Sequence, residues 1–243
     1  MKKRFLLIVV LGIILTSFIV CPAYYERANK DDKILSYVVD PKTQAIRFYW
    51  KDDNLQIFRS IQNLKNWLEK KHETLVFATN GGMYKPDNSP QGLFIQDQKE
   101  LVPLDTSSGT GNFYLKPNGV FYITSENKAA ICETCKFASN GDIKYATQSG
   151  PMLVINGAIH PVFKKGSTHL NIRNGVGILP NNKVIFAMSK QEINLYDFAT
   201  YFKDLGCQNA LYLDGFVSRT FLPEQNWVQL DGNFGVMIGV TKK

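Results

Sequence analysis

The chain has 243 residues, of which 44% are hydrophobic and 20% are charged, and its formal net charge is +7. This composition excludes a largely disordered chain, and the length allows a sizeable core without a framework of disulfides. No lysine- or arginine-rich run follows residue 4, so nucleic acid is not an expected partner. The mild positive charge suits an anionic glycan or a phosphate ester as a ligand.

The N-terminal segment has the pattern of an export signal. The basic tripeptide Lys2-Lys3-Arg4 precedes an apolar run from Phe5 to Val20. The length of this run lies between that of a cleavable signal peptide and that of a full membrane span. Residues 1–23 are therefore predicted to be a signal peptide or a membrane anchor, with lipid attachment at Cys21 as an alternative. The mature protein is expected in the periplasm, outside the cell, or anchored facing outward, with membrane contact only through this segment.

A short tether, residues 24–32, is predicted to lead into one domain, residues 33–243. Residues 34–39 and 45–50 are rich in apolar and β-branched side chains and flank a turn at Asp40-Pro41-Lys42-Thr43. This pattern predicts a β-hairpin.

Two helices are predicted. Apolar residues at spacings of four, three and four predict a helix over residues 55–70, and they are Ile57, Ile61, Leu64 and Leu68. A second helix should begin after the N-cap Asn194 and end at Gly206. Residues 74–79 are apolar on both faces, which is typical of a buried strand.

The rest of the domain has the turn signals of an antiparallel sheet. Asn118-Gly119 and Asn156-Gly157 lie between apolar segments and predict two hairpins with type I′ turns. Further strands are predicted, at residues 170–179, 183–188, 210–213 and 234–241. The expected fold is α+β: a mixed, largely antiparallel β-sheet core with a few flanking helices in a single domain.

The cysteines do not form a metal-binding pattern. Cys132-Glu133-Thr134-Cys135 is a lone C-x-x-C without a second ligand pair, so a small structural disulfide is the favoured interpretation. Cys207 is predicted to be an unpaired, buried thiol. No metal and no other cofactor is predicted.

Four polar clusters lie at or near the ends of predicted strands. They are Asn80-Gly81-Gly82-Met83-Tyr84, Gln148-Ser149-Gly150-Pro151, His169 to Gly175, and Leu213-Asp214-Gly215 with Ser218 and Arg219. The glycines of the first cluster allow close backbone approach to a ligand. A serine in a tight loop, such as Ser149, can bind a phosphate oxygen.

The third and fourth clusters carry the charged groups. If residues 169–173 form a strand, His169, Asn171 and Arg173 share one face, and Arg173 could hold a phosphate with two parallel hydrogen bonds. Asp214 ends an apolar strand and could be a base, a nucleophile or a metal ligand. Asp105 is a second carboxylate candidate, although a loop role is favoured for it.

These clusters together resemble the phosphodiester glycosidase family. The matching segments occur in the family's order, namely Asn80 to Tyr84, Pro90-Gln91-Gly92-Leu93, Gly111-Asn112-Phe113, Ser149-Gly150-Pro151, Arg173 to Gly177, and Leu213-Asp214-Gly215 with Ser218. The family includes the lysosomal uncovering enzyme, which removes N-acetylglucosamine from a sugar-phosphate diester. This chain is most similar to the uncharacterised exported bacterial members. Family members often have a second glycine where this chain has Phe216, a side chain that would narrow the site, remove a backbone contact or change the substrate.

The resemblance implies an exported hydrolase that cleaves a glycosyl-phosphodiester in envelope or extracellular glycans. Asp214 would be base or nucleophile, Arg173 with Ser149 would hold the phosphate, and Asn80 would orient the substrate. The expected substrate-binding residues are Gly81, Gly82, Tyr84, Gln148, Gly150, Asn171, Asn174, Gly215 and Ser218. The alternative is a non-catalytic cell-envelope module that binds anionic glycans. A metal-dependent phosphodiesterase and a serine-hydrolase triad are disfavoured, because no dense carboxylate cluster, H-x-H motif or obvious histidine partner is present.

Overall fold

The computed structural model describes residues 32–139, 141–215 and 217–242. The predicted signal or anchor segment, Cys21, nearly all of the tether and Phe216 lie outside the described residues, so the statements made on them stay predictions. Within the described part of the chain, no helix has the length and hydropathy that a membrane span requires.

Three antiparallel sheets build the domain. The first has the order β1-β12-β11-β13-β9-β10, the second β15-β14-β3-β16-β2, and the third β5-β4-β8-β6-β7. The strand bounds are β1 Ile34–Val39, β2 Ile46–Tyr49, β3 Thr74–Asn80, β4 Phe94–Gln96, β5 Lys99–Val102, β6 Gly119–Thr124, β7 Ala129–Glu133, β8 Ile143–Ser149, β9 Met152–Ile155, β10 Ala158–Ile159, β11 Asn174–Ile178, β12 Val184–Ser189, β13 Ala210–Asp214, β14 Thr220–Leu222, β15 Trp227–Val228 and β16 Met237–Lys242.

The three sheets share one apolar core. Phe48, Phe121 and Phe186 come from the second, third and first sheet respectively, and each is buried. The ring centroids of Phe48 and Phe121 lie 5.5 Å apart, and those of Phe121 and Phe186 lie 5.9 Å apart. Burial of large aromatic rings is among the strongest apolar contributions to folding, so this contact ties the sheets into one unit.

Each α-helix covers one sheet. Helix α1 (Ile61–Lys70) buries Ile61, Leu64 and Leu68 against the second sheet. Helix α2 (Leu195–Asp204) buries Phe198 and Phe202 against the first sheet. Helix α2 approaches β11 closely because β11 carries glycines: a Cβ at Gly177 would lie 2.7 Å from the Phe202 ring. The glycines of the Arg-Asn-Gly-Val-Gly segment therefore serve helix packing.

The predicted largely antiparallel core and single domain are confirmed. The described part of the chain contains more β-structure than the predicted α+β class suggests. Helix α2 follows its predicted cap, since Asn194 Oδ1 accepts the Asp197 N–H at 2.9 Å. The Asn156-Gly157 hairpin between β9 and β10 is also confirmed, with φ of 49° and 80° at the two corner residues.

Two predicted hairpins are wrong. Strand β1 pairs with β12 and β2 pairs with β16, so the turn after β1 passes between two sheets. Asn118-Gly119 follows a 3-10 turn at Asn112–Tyr114 and opens β6, and neither residue has the positive φ of a type I′ corner. The Asn118 amide donates to the Phe113 carbonyl oxygen at 2.9 Å instead.

Three further predictions need correction. Helix α1 begins six residues later than residue 55, because Ser60 caps it and Leu55 has a φ of 63° with 75% exposure. The strand predicted from residue 170 begins only at Asn174. Cys132 and Cys135 are free thiols, so the predicted disulfide is absent from the structure, whereas Cys207 is buried and unpaired as predicted.

Candidate active site

The ends of three strands meet at the junction of the first and second sheets. Asn174 at the start of β11 lies opposite Asp214 at the end of β13 in the sheet register. The Asn174 side-chain amide donates to the Asn80 carbonyl oxygen at 2.8 Å, and its Oδ1 accepts the Asp214 N–H at 2.9 Å. The structure thus brings together one residue from each of three clusters that are far apart in sequence.

Asn80 presents an unused hydrogen-bond donor at this junction. Its Oδ1 accepts from the Arg219 N–H at 3.0 Å and from Asn174 Nδ2 at 3.0 Å, which fixes the orientation of the amide. Its Nδ2 is buried and has no hydrogen-bond partner among the described residues. Because an unsatisfied buried donor is costly, this group is suited to an acceptor oxygen that the protein does not supply.

Arg173 is buried, and three of its N–H groups donate hydrogen bonds to the protein. Nε donates to the Ile193 carbonyl at 2.7 Å, Nη2 to the His169 carbonyl at 2.8 Å, and Nη1 to the Tyr212 hydroxyl at 2.9 Å. None of the ion pairs among the described residues includes Arg173. A guanidinium has five N–H donors, so two remain, and its buried charge favours an anion nearby.

Tyr212 connects Arg173 to the neighbourhood of Asp214. Burial raises the pKa of Tyr212 to about 12; the charge of Arg173 opposes this shift and that of Asp214 adds to it. The tyrosine hydroxyl occupies the space that a Cβ at Gly215 would need, and that Cβ would also lie 3.4 Å from Arg173 Nη1. Arg173 and Asp214 therefore share one site. The sequence analysis missed Tyr212, although its place two residues before Asp214 on a strand puts both on one face.

Asp214 is largely buried at the end of β13, with 8% exposure. Its Oδ1 accepts the Gly215 N–H at 2.6 Å. The pKa of Tyr84 is raised, first by burial and then by the Asp214 charge.

The predicted serines hold the backbone around Asp214. The buried Ser149 hydroxyl donates to the Leu213 carbonyl at 2.9 Å, and the Ser218 hydroxyl donates to the Asp214 carbonyl at 3.0 Å. In this arrangement both hydroxyl groups donate their hydrogen bonds to backbone carbonyls. Their contribution to the site is the placement of the end of β13.

The predicted glycines and Gln148 also make protein contacts. A Cβ at Gly81 would lie 2.7 Å from Ile238, one at Gly82 would lie 2.7 Å from Thr147, and one at Gly150 would lie 2.6 Å from Asn118. The absence of side chains at these three glycines makes room for packing within the protein, and the predicted contact of their backbone with a ligand stays a prediction. Gln148 accepts from the Asp105 N–H at 2.9 Å and donates to the Asp105 carbonyl at 2.6 Å, which fixes that loop.

Asp105 itself is a loop residue in the structure. Its Oδ1 accepts the Ser107 N–H at 2.8 Å and also the Ser107 hydroxyl, and its Oδ2 accepts the Tyr114 hydroxyl at 3.2 Å. The Ser107 hydroxyl contributes most to holding the Asp105 pKa below its ordinary value of 3.8.

A cavity of about 500 Å³ opens beside Arg173. His169 and Asn171 line it together with Arg173, although these residues form no continuous strand and Asn171 makes only an isolated bridge to Ile193. Lys164 and Ser167, from the loop between β10 and β11, also line it. The three predicted residues therefore face one space, but for a different reason than strand alternation.

Within the described residues, no group of three or more His, Cys, Asp or Glu side chains could hold a metal ion. The chemistry that the described side chains offer is hydrogen bonding and charge: a carboxylate, a buried guanidinium and an amide donor without a partner.

The chain is similar to known proteins in sequence and in fold. A family model described as phosphodiester glycosidase matches residues 73–240. The uncharacterised protein YigE of Escherichia coli K12 is 36% identical over 190 residues, which cover 78% of this chain and 74% of YigE.

Solved structures share the fold at low identity. The catalytic domain of zebrafish N-acetylglucosamine-1-phosphodiester alpha-N-acetylglucosaminidase, auto-inhibited by its pro-peptide, superposes with a TM-score of 0.59 at 14% identity, over 89% of this chain and 86% of that one. A putative exported protein of Burkholderia pseudomallei superposes with a TM-score of 0.54 at 8% identity, over 85% and 73% of the two chains.

Proposed function

Because this chain belongs to the phosphodiester glycosidase family, we propose that it hydrolyses a glycosyl-phosphodiester, releasing a sugar and a phosphomonoester. The observation that carries this proposal is the shared site of Arg173 and Asp214, which Tyr212 connects. The Arg173 guanidinium suits the phosphate, and the Asp214 carboxylate suits the sugar carbon next to it.

Arg173 is proposed to bind the phosphate. Its three anchored donors fix the guanidinium plane, and its two remaining N–H groups can donate to phosphate oxygens. Since the phosphate is already a good leaving group, little general-acid assistance is required. Charge complementarity to the departing phosphomonoester then becomes the main contribution of this side chain.

Asp214 is proposed to act at the anomeric carbon, as a base for water or as a nucleophile. In either case the bond between the anomeric carbon and the phosphate oxygen breaks, and its electrons leave with the phosphate. Water supplies the new hydroxyl group of the sugar. The Asn80 Nδ2 donor lies at the same junction and can orient a sugar or phosphate oxygen.

We also propose that the reaction takes place outside the cytoplasm, on envelope or extracellular glycans. This part of the proposal is supported by the basic tripeptide Lys2-Lys3-Arg4 and the apolar run that follows it.

The test compares Asp214→Asn with Asp204→Asn, which changes an exposed aspartate at the end of α2. Glycosyl-1-phosphodiesters are the substrates, and free sugar is measured. Asp214→Asn should lower the rate at least about 100-fold, the usual size of an acid–base contribution, with a nearly unchanged melting temperature. Asp204→Asn should retain wild-type activity.

Full activity in Asp214→Asn would remove Asp214 from the mechanism. Saturable binding of anionic glycans by the wild type, without release of sugar from any phosphodiester, would instead favour a non-catalytic binding module.

A further inference from the structure

The cavity beside Arg173 extends well beyond the phosphate that the proposed function places there. Its volume of about 500 Å³ is within the range of sites that enclose a drug-sized ligand. Arg173 forms part of the wall, whereas Asp214 does not line this space. If Asp214 faces the sugar and Arg173 faces the phosphate, the group on the far side of the phosphate, the acceptor, must enter the cavity.

The charged wall of this cavity is entirely basic. Lys164 and Arg173 line it, and among the described residues no Asp or Glu does. Such a space carries a positive potential and concentrates anions. The phosphate of the scissile diester pairs with Arg173. A substrate with only this phosphate would have no anionic group to pair with Lys164.

The loop that carries Lys164 is preformed. The Ser167 N–H donates to the Lys164 carbonyl at 3.2 Å, which closes a turn over Gly166 with its φ of 74°. The Ser167 hydroxyl oxygen accepts the His169 N–H at 3.3 Å, so the hydroxyl proton is directed away from that contact. The His169 carbonyl in turn accepts from Arg173 Nη2. Because the loop is tied to the buried guanidinium, little ordering is required when a ligand binds.

We propose that Lys164 and Ser167 bind a second anionic group on the acceptor, so that the preferred substrate is a glycosyl-phosphodiester whose acceptor carries a further phosphate or carboxylate. This inference rests on the proposed function, since the position of the acceptor follows from the roles of Asp214 and Arg173. The competing occupant is an alkyl acceptor, which Val162, Phe163 and Leu195 on the same wall could contact. Lys164 is exposed, so an alkyl chain would leave its ammonium group to water, whereas an anion would pair with the ammonium and accept from the Ser167 hydroxyl; this difference favours the anion.

The test uses two probes with the same sugar and the same central phosphate. In one the acceptor is neutral, and in the other it ends in a second phosphate. Lys164→Gln removes the cavity lysine, and Lys165→Gln is the matched control, because Lys165 is the exposed neighbour outside the cavity wall. Both kcat/KM and the dissociation constant by calorimetry are measured for each variant and probe.

The doubly charged probe should be preferred by the wild type. Lys164→Gln should reduce that preference about threefold to fivefold, the size expected for one exposed charge pair, and Lys165→Gln should leave it unchanged. Equal kcat/KM values and equal dissociation constants for the two probes in the wild type would overturn the inference while leaving the hydrolase proposal intact. A higher kcat/KM for a matched alkyl acceptor, insensitive to Lys164→Gln, would overturn it in favour of an apolar acceptor. Binding that prefers the doubly charged probe through Lys164, without turnover of either, would retain the anion site and refute the proposed hydrolysis.

Discussion

The substitution Asn174→Ala tests whether the strand junction depends on one buried amide. Asn174 is 1% exposed and joins β3 of the second sheet to β13 of the first. Alanine keeps the backbone and the Cβ but removes every polar contact of the side chain. We expect it to lower both the free energy of unfolding and the activity.

The expected loss follows from the contacts. Asn174 Nδ2 donates to Thr79 Oγ1 at 2.9 Å, to the Asn80 carbonyl at 2.8 Å and to Asn80 Oδ1 at 3.0 Å, while Asn174 Oδ1 accepts the Asp214 N–H at 2.9 Å. An amide nitrogen has two hydrogens, so about three of these bonds act at full strength. At about 1 kcal/mol each, with a buried Asp214 N–H left without its acceptor at a cost of about 1–2 kcal/mol, the total is about 4–5 kcal/mol.

The assay is urea unfolding of the wild type, Asn174→Ala and the control Asn66→Ala. Asn66 lies on the exposed side of α1, where its side-chain oxygen accepts from Gln62. Its replacement should change the free energy of unfolding by less than about 0.5 kcal/mol. A loss below about 1 kcal/mol in Asn174→Ala, at an unchanged m-value, would refute the reasoning, because water would then be replacing the amide.

Two more substitutions test the surroundings of the site. Gly215→Ala places a Cβ on the Tyr212 hydroxyl and 2.8 Å from the Tyr212 Cζ. Since Tyr212 is fully buried, we expect a loss of stability of about 1–3 kcal/mol and a lower rate of hydrolysis. Wild-type stability and a wild-type rate would contradict the packing described. Asp105→Asn should destabilise the protein at pH 7, because the Asp105 pKa is depressed in the folded state, chiefly by the Ser107 hydroxyl. The difference in unfolding free energy from the wild type should be full above the ordinary value of 3.8 and should disappear as the pH falls through the lower folded-state pKa; a difference that grows in acid would show the opposite shift.

The sequence was sufficient to find the strand ends that meet at the site. Asn80 and Asp214 each follow a run of apolar residues, and a polar residue at that position marks where a buried strand reaches the surface of the core. Asn194 was identifiable as a helix cap because its interaction is local, three residues along the chain. Such short-range chemistry is encoded in the residues beside it.

The pairing of strands was not predictable in the same way. Strands β1 and β2 flank a short turn, which favours a hairpin, yet each is inserted into a different sheet. Both strands are buried on almost every residue, so each requires neighbours on two faces that a hairpin alone cannot supply. The strands that pair with them in those sheets, β12 and β16, lie more than a hundred residues further along the chain.

Tyr212 shows why a site residue can be hidden in a core pattern. It lies between Leu211 and Leu213, is fully buried, and packs with the residues under α2, so its sequence context is that of an apolar strand. Its hydroxyl nevertheless accepts from Arg173, and its ring lies 5.5 Å from the guanidinium carbon. A tyrosine can serve both purposes because only its hydroxyl is polar, and a buried hydroxyl generally requires a partner. The residue that leaves space for that hydroxyl is Gly215, directly after Asp214. The glycine directly after Asp214 is therefore what allows Arg173, Tyr212 and Asp214 to share one site.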